Sequence, residues 1–146
     1  MKHILIVNGP NLNLLGIRQP DIYGTRTMED VVSELRFEFP DIEIDLYQSN
    51  HEGDLIDRLH EAGFGNDKTD GIVLNAGGLT HTSVALADAV AAIPTPVVEV
   101  HISNIYGRDS FRQHSFLSSV CLGSISGFGT DVYRLAVSAI LKHTNG

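Results

Sequence analysis

Ile4-Leu-Ile-Val7 runs directly into Asn8-Gly-Pro-Asn-Leu-Asn-Leu-Leu-Gly-Ile-Arg-Gln-Pro-Asp-Ile-Tyr-Gly24, and the fold depends on how that junction is read. Four consecutive apolar residues suit a short strand buried on both faces. The chain does not then turn quickly into a helix. Gly9, Pro10, Gly16, Pro20 and Gly24 punctuate a long loop, and loops of that length inside one domain are uncommon and frequently functional.

The pattern of a short apolar run and then a helical stretch repeats outward from there. Strands are expected at residues 4–7, 42–47, 72–74, 97–102 and 120–125, with helices at 28–39, 53–64, 82–93, 110–114 and 130–143. Thr27 is placed to cap the first of these helices, Ser49 and Glu52 to form a capping box for the second, and Thr80 or Thr82 to cap the third. Pro40, Pro94 and Pro96 stop helices where the strand pattern resumes. Strands alternating with helices imply a parallel sheet covered on both faces. The expected fold is therefore α/β, a flavodoxin-like three-layer arrangement with a five-stranded parallel sheet of order 2-1-3-4-5. Residues 1–146 read as one domain. Ligands of such sheets bind beyond the carboxyl ends of the strands, so residues 8–23, 75–81 and 101–112 should surround one crevice.

Composition narrows the function. The net charge of −8 argues against nucleic acid or an anionic membrane as partner, although a single arginine can still hold a small anion. One cysteine, Cys121, excludes an internal disulfide and a Cys-based zinc site. That usage favours a cytoplasmic protein. Residues 4–7 are too short for a signal-peptide core or a membrane span. No phosphate-binding GxxxxGK[ST] or GxGxxG stretch occurs, and Gly123-Ser-Ile-Ser-Gly127 has isoleucine where a nucleophile elbow requires serine. The histidines lack HExxH spacing, so no catalytic zinc is expected. Asn8 and Asn75 stand where a phosphorylated receiver domain needs acidic residues, and Gly9-Pro10-Asn11 is a poor flavin phosphate loop.

Three segments carry candidate chemistry. A free phenol has a pKa near ~10, and a neighbouring guanidinium under a closing lid stabilises the phenolate. Arg18 is near enough in the loop to do this for Tyr23, unless the ring of Tyr23 packs on Leu14 or Leu15. Glu99 lies in an otherwise apolar strand and needs a partner. His101, two residues on, points to the same side of that strand. The two make either an acid–base pair or a structural hydrogen bond. Backbone N–H groups of Ile102 and Ser103, where the strand pattern ends, suit a carboxylate. In the turn Asn75-Ala-Gly-Gly-Leu-Thr-His-Thr-Ser83, Gly77 and Gly78 permit close approach of a ligand, and His81 either meets substrate hydroxyls or simply lies in the first helical turn. Arg108 and Arg112 flank a polar segment and face either the crevice or solvent. Asp88 is the one formally charged residue between Gly71 and Val98. A helix so apolar on all sides should be buried, which a single sheet cannot accomplish, so its outer face is expected to pack on another subunit.

Together these segments resemble the type II 3-dehydroquinate dehydratases, or type II dehydroquinases. The likeness covers essentially the whole chain and rests on residues 8–24, on NAGGLTHTSVAL from Asn75 to Leu86, and on EVHISN from Glu99 with FRQHS from Phe111. The resemblance implies a flavodoxin-like fold, a homododecamer built as a tetramer of trimers, and a cofactor-free, metal-free dehydration of 3-dehydroquinate. It further implies that Tyr23, as phenolate, removes the C2 proton while Arg18 lowers its pKa. Asn11 would hold the water that stabilises the enolate, and His101, oriented by Glu99, would protonate the departing hydroxyl. Ile102 and Ser103 would bind the substrate carboxylate. Asn75, His81 and Arg112 would hold the ring hydroxyls, and Asp88 would reach a neighbouring subunit's site. One departure is visible: many members read REP where this chain has Arg18-Gln19-Pro20. The neutral Gln19 either loosens Arg18 or leaves its charge more fully available to the phenolate.

Overall fold

The computed structural model describes residues 1–66, 68–107 and 109–145, with Ile22 and Tyr23 described by their backbone alone. Arg108 therefore lies outside the described residues. The strands are β1 (Lys2–Asn8), β2 (Ile42–Gln48), β3 (Gly71–Asn75), β4 (Val97–His101) and β5 (Gly123–Ser126). They form one sheet in the order β2-β1-β3-β4-β5, and every neighbouring pair is parallel. The expected α/β architecture and strand order are both present. The helices are α1 (Pro20–Tyr23), α2 (Met28–Glu38), α3 (Glu52–Phe64), α4 (Val84–Ala92) and α5 (Asp131–Asn145).

Strand periodicity divides the apolar residues between two cores. On one face, Ile4, Ile6, Val73, Val98 and Val100 pack against Val31, Val32 and Leu35 of α2 and Val132, Tyr133, Ala136, Val137 and Ile140 of α5. On the other, Leu5, Val7, Ile72, Leu74 and Val97 pack against Leu55, Leu59 and Ala62 of α3 and Leu86, Ala87, Ala89 and Val90 of α4. A central strand such as β1 feeds both layers, which explains its uninterrupted apolar run. Among the described residues no helix is long and apolar enough to cross a membrane.

Helix starts show which local signals prevailed. Thr27 and Asp30 form a reciprocal capping box at α2, in which each side chain accepts from the other's backbone N–H. The box expected of Ser49 and Glu52 is absent. Ser49 Oγ donates to Asp54 and accepts from the N–H of His51, while the Glu52 carboxylate accepts from Ser83 Oγ. Neither Thr80 nor Thr82 caps α4; Ser83 does, accepting from the N–H of Leu86 at 2.9 Å. The reason is a 3-10 turn over Gly77–His81, which delays α4 to Val84 rather than residue 82. The expected helix at 110–114 is a 3-10 turn over Ser110–Arg112. The fifth strand also starts late, at Gly123. Val120 and Cys121 both donate backwards to the Leu117 carbonyl, and sheet pairing resumes only when Leu122 donates to Val97. The loop after β1 contains two short elements of its own, a 3-10 turn at Leu12–Leu14 and the single turn of α1.

Candidate active site

A cleft of about 210 Å³ lies beyond the carboxyl ends of β1, β3 and β4. Its floor is built by close backbone approach. Gly9 donates to the Asn75 carbonyl at 2.7 Å, and a Cβ on Gly9 would meet the Ala76 carbonyl oxygen at 2.5 Å. Gly77, at φ +61°, sits tightly on Pro10. These contacts require glycine and press the loop after β1 against the turn after β3. From the other side, Asn50 Oδ1 accepts from the N–H of Asn11 at 2.9 Å, and Gln48 Nε2 donates to both the Gly9 carbonyl and Asn50 Oδ1. Asn11 itself adopts the left-handed conformation at φ 70°, which asparagine tolerates better than most residues.

Asn11, Arg18, Asn75, His81, His101, Ile102, Ser103 and Arg112 all line this cleft. Residues as distant in sequence as Asn11 and Arg112 are thereby brought together, as convergence of three strand ends requires. Gln19 takes φ 45° as the residue before α1, with Pro20 as the first helical residue. Tyr23 closes that single turn, but its side chain lies outside the described part of the structure. Asp88 does not reach the cleft of its own chain. It is exposed on the outer face of α4 beside Val84, Ala85, Ala91 and Ala92, so the helix that looked apolar all round buries only Leu86, Ala87, Ala89 and Val90.

Glu99 sits one layer below the cleft surface and is wholly buried. His101, 5% exposed, places Nε2 at 2.6 Å from Glu99 Oε2. Ser115 Oγ donates to the same oxygen at 2.6 Å, and Ser118 Oγ donates to Oε1 at 2.7 Å. Burial works against ionisation of this carboxyl. The hydrogen bonds from His101, Ser115 and Ser118 outweigh it and hold Glu99 below the usual glutamate range. An ionised Glu99 accepts from Nε2–H of His101, which fixes the ring's orientation.

His81 Nδ1 lies 2.7 Å from the His114 carbonyl, which can only accept, so the proton is on Nδ1. Nε2 is thereby left as the ring nitrogen available to a ligand hydroxyl. Asn75 accepts from the N–H of Gly77 at 3.2 Å and donates to Tyr133 Oη at 3.1 Å. Tyr133 in turn donates to Asn8 Oδ1 at 2.9 Å. The Arg112 guanidinium lies 4.8 Å from the Phe111 ring centroid, a cation–π contact that orients it.

Sequence reasoning did not single out Ser115, Ser118, Tyr133 or Asn8 as site residues. Two signals could have pointed to them. A carboxylate in a dry strand needs more than one donor, and a tyrosine on the apolar face of the last helix needs a partner for its hydroxyl. Neither signal specifies which residue answers it. Among the described residues the one cluster with metal-ligand separations is His3, Glu43 and Asp45. It stands at the amino end of β1 and β2, remote from the cleft, with His3 and Asp45 already paired at 2.8 Å.

Comparison with known proteins agrees over nearly the whole chain. Residues 2–141 match the family model described as dehydroquinase class II. The chain is 55% identical over 139 residues to a 3-dehydroquinate dehydratase of Gloeobacter violaceus, covering 94% of this chain and 85% of that protein. It is 52% identical over 141 residues to one from Exiguobacterium, covering 96% and 94%. The crystal structure of a type II dehydroquinase from Butyrivibrio crossotus superposes with a TM-score of 0.90 at 44% identity, over 95% of this chain and 97% of that one. With a matching family model, half-identical relatives and the same sheet, the chain belongs to the class II dehydroquinase family.

Proposed function

We propose that this chain is a 3-dehydroquinate dehydratase that converts 3-dehydroquinate to 3-dehydroshikimate by anti elimination of water. The observation that carries the reading is the buried Glu99–His101 pair facing a loop that brings Arg18 and Asn11 into the same cleft. In this reading the Tyr23 phenolate, stabilised by Arg18, takes the C2 proton. The C2–H electron pair moves into the C3 ketone to give an enolate. Asn11 positions a water that donates to the enolate oxygen, since oriented donors are most effective where charge develops. The enolate then collapses, forming the C1–C2 double bond and breaking the C1–O bond. Imidazolium His101 gives its proton to the leaving oxygen, which departs as water. Protons and electrons balance, and no redox step is involved.

The remaining lining residues fit the substrate's polar groups. Ile102 and Ser103 at the end of β4 suit the carboxylate, and Asn75, His81 and Arg112 suit the ring hydroxyls. The exposed face of α4, with Asp88 among alanines and Val84, supports assembly into a homododecamer in which Asp88 reaches a neighbouring site. The strongly negative charge suits a small-molecule substrate better than nucleic acid or membrane, and the cysteine usage favours cytoplasmic residence.

The test is an absorbance assay for the enone formed from 3-dehydroquinate. Tyr23→Phe should fold and assemble normally while losing about 10²- to 10⁴-fold in turnover, the usual worth of a positioned base. Near-normal turnover would eliminate Tyr23 as that base. Sedimentation of the same protein at micromolar concentration should give a dodecamer; a lone monomer would contradict the assigned role of the α4 face.

A further inference from the structure

We propose that Ser118 is a positioning residue for the reaction, acting through Glu99 to hold the His101 imidazole in the orientation and charge state that elimination needs. The assignment rests on the acid role given to His101 above. The two oxygens of Glu99 are held differently. Oε2 accepts from both His101 Nε2 and Ser115 Oγ, whereas among the described residues Oε1 accepts from Ser118 Oγ alone. Without the Ser118 hydroxyl, Oε1 of the buried carboxylate loses the one donor it has among the described residues. The carboxylate would then turn toward another donor, or take up a proton at higher pH, and either change releases the imidazole it orients.

Ser118 is also the cleaner of the two serines to alter. Ser115 Oγ accepts from the N–H groups of Leu117 and Ser118 at 3.1 and 3.3 Å, so it shapes the turn as well as touching Glu99. Ser118 is exposed while its hydroxyl donates to Glu99, and a change there removes one donor without opening a core cavity. The groups facing Glu99 are His101 from β4, with Ser115, Ser118 and Cys121 from the segment before β5. Burial and the Glu99 charge push the Cys121 thiol up to about 12, so it stays neutral and adds no competing charge across the working range. Glu99, held below its ordinary range by its hydrogen bonds, is then the carboxyl whose protonation the variant changes.

The experiment compares Ser118→Ala with Ser118→Thr, which keeps the hydroxyl at an exposed position. For the alanine variant, kcat should fall about tenfold while KM stays within about twofold, because one hydrogen bond to a charge is removed and no substrate contact is lost. The acid limb of its pH–kcat profile should move up by about one unit, and threonine should restore both. The carboxyl band of Glu99, identified by its loss in Glu99→Gln, provides a readout independent of turnover. In pH-difference infrared spectra its midpoint should rise in Ser118→Ala. Should the alanine variant not fold, Ser118→Cys keeps the size with a weaker donor and carries the same expectations. An acid limb and an infrared midpoint both unmoved would overturn the proposal. A chain unable to dehydrate 3-dehydroquinate would instead refute the reaction assigned above, and the infrared midpoint would still decide whether Ser118 governs Glu99.

Discussion

Replacing Tyr133 by phenylalanine removes one oxygen atom from the middle of the protein. The ring is wholly buried, and phenylalanine fills the same space, so no cavity cost arises. Burial raises the phenol's pKa further, and the hydroxyl therefore stays protonated and able to donate. It bridges Asn8 Oδ1 at 2.9 Å and Asn75 Nδ2 at 3.1 Å. Both asparagines are buried, and Asn8 Nδ2 already lacks a partner among the described residues. Losing the bridge strands a further acceptor and a further donor. Each stranded group costs about 1–3 kcal/mol, partly offset by relaxation of the amides, so we expect a total of about 2–4 kcal/mol. For a domain of this length each kcal/mol moves Tm by about 2–4 °C, giving a fall of roughly 4–16 °C. Scanning calorimetry measures it at one fixed protein concentration, which holds the contribution of the proposed assembly constant. The freed Asn75 amide should also raise KM for 3-dehydroquinate several-fold with a smaller change in kcat. A fall in Tm below about 2 °C together with an unchanged KM would mean that the bridge neither stabilises the core nor aims Asn75.

Two further outcomes test the Glu99–His101 pair. The folded-state pKa of Glu99 lies below its ordinary 4.5, so the stability it contributes is present above that pH and is lost as pH falls through the folded value. The difference in Tm between the wild-type chain and Glu99→Gln should therefore shrink below about pH 4.5; a difference that stays constant into acid would show that Glu99 is not held ionised. For His101→Ala, elimination should be lost while exchange of the C2 proton with solvent partly persists, as tracked by deuterium incorporation. Loss of both together would count against separate base and acid steps.

The sequence carries the architecture because the signals are local and repeated. A four-residue apolar run before a punctuated loop, and prolines at 40 and 94 where helical stretches give way to strands, specify element order without reference to distant residues. Given that order, the handedness and connection rules of parallel sheets leave few arrangements, and the strand ends that must converge can be named in advance. The placement of Arg18, Asn75, His81 and His101 along one cleft is legible for this reason. Boundaries were less so. Ser49 could have capped α3, but Asp54 competed for its hydroxyl. The threonines at 80 and 82 lost the cap of α4 to Ser83 because a 3-10 turn intervened. Val120 and Cys121 have strand-like side chains, yet their N–H groups turn back to Leu117.

What the chain determines alone is thus the sheet, its order and the three loops at one end. Which partners answer the buried carboxylate of Glu99 and the buried amide of Asn75 is set by packing across the fold. Ser118 is 19 residues from Glu99, and Tyr133 is 58 from Asn75. Polar groups shut away from water must be satisfied, and that demand is visible in sequence. Its solution depends on which side chains packing places within about 3 Å, a distance set by the whole fold rather than by any stretch of it.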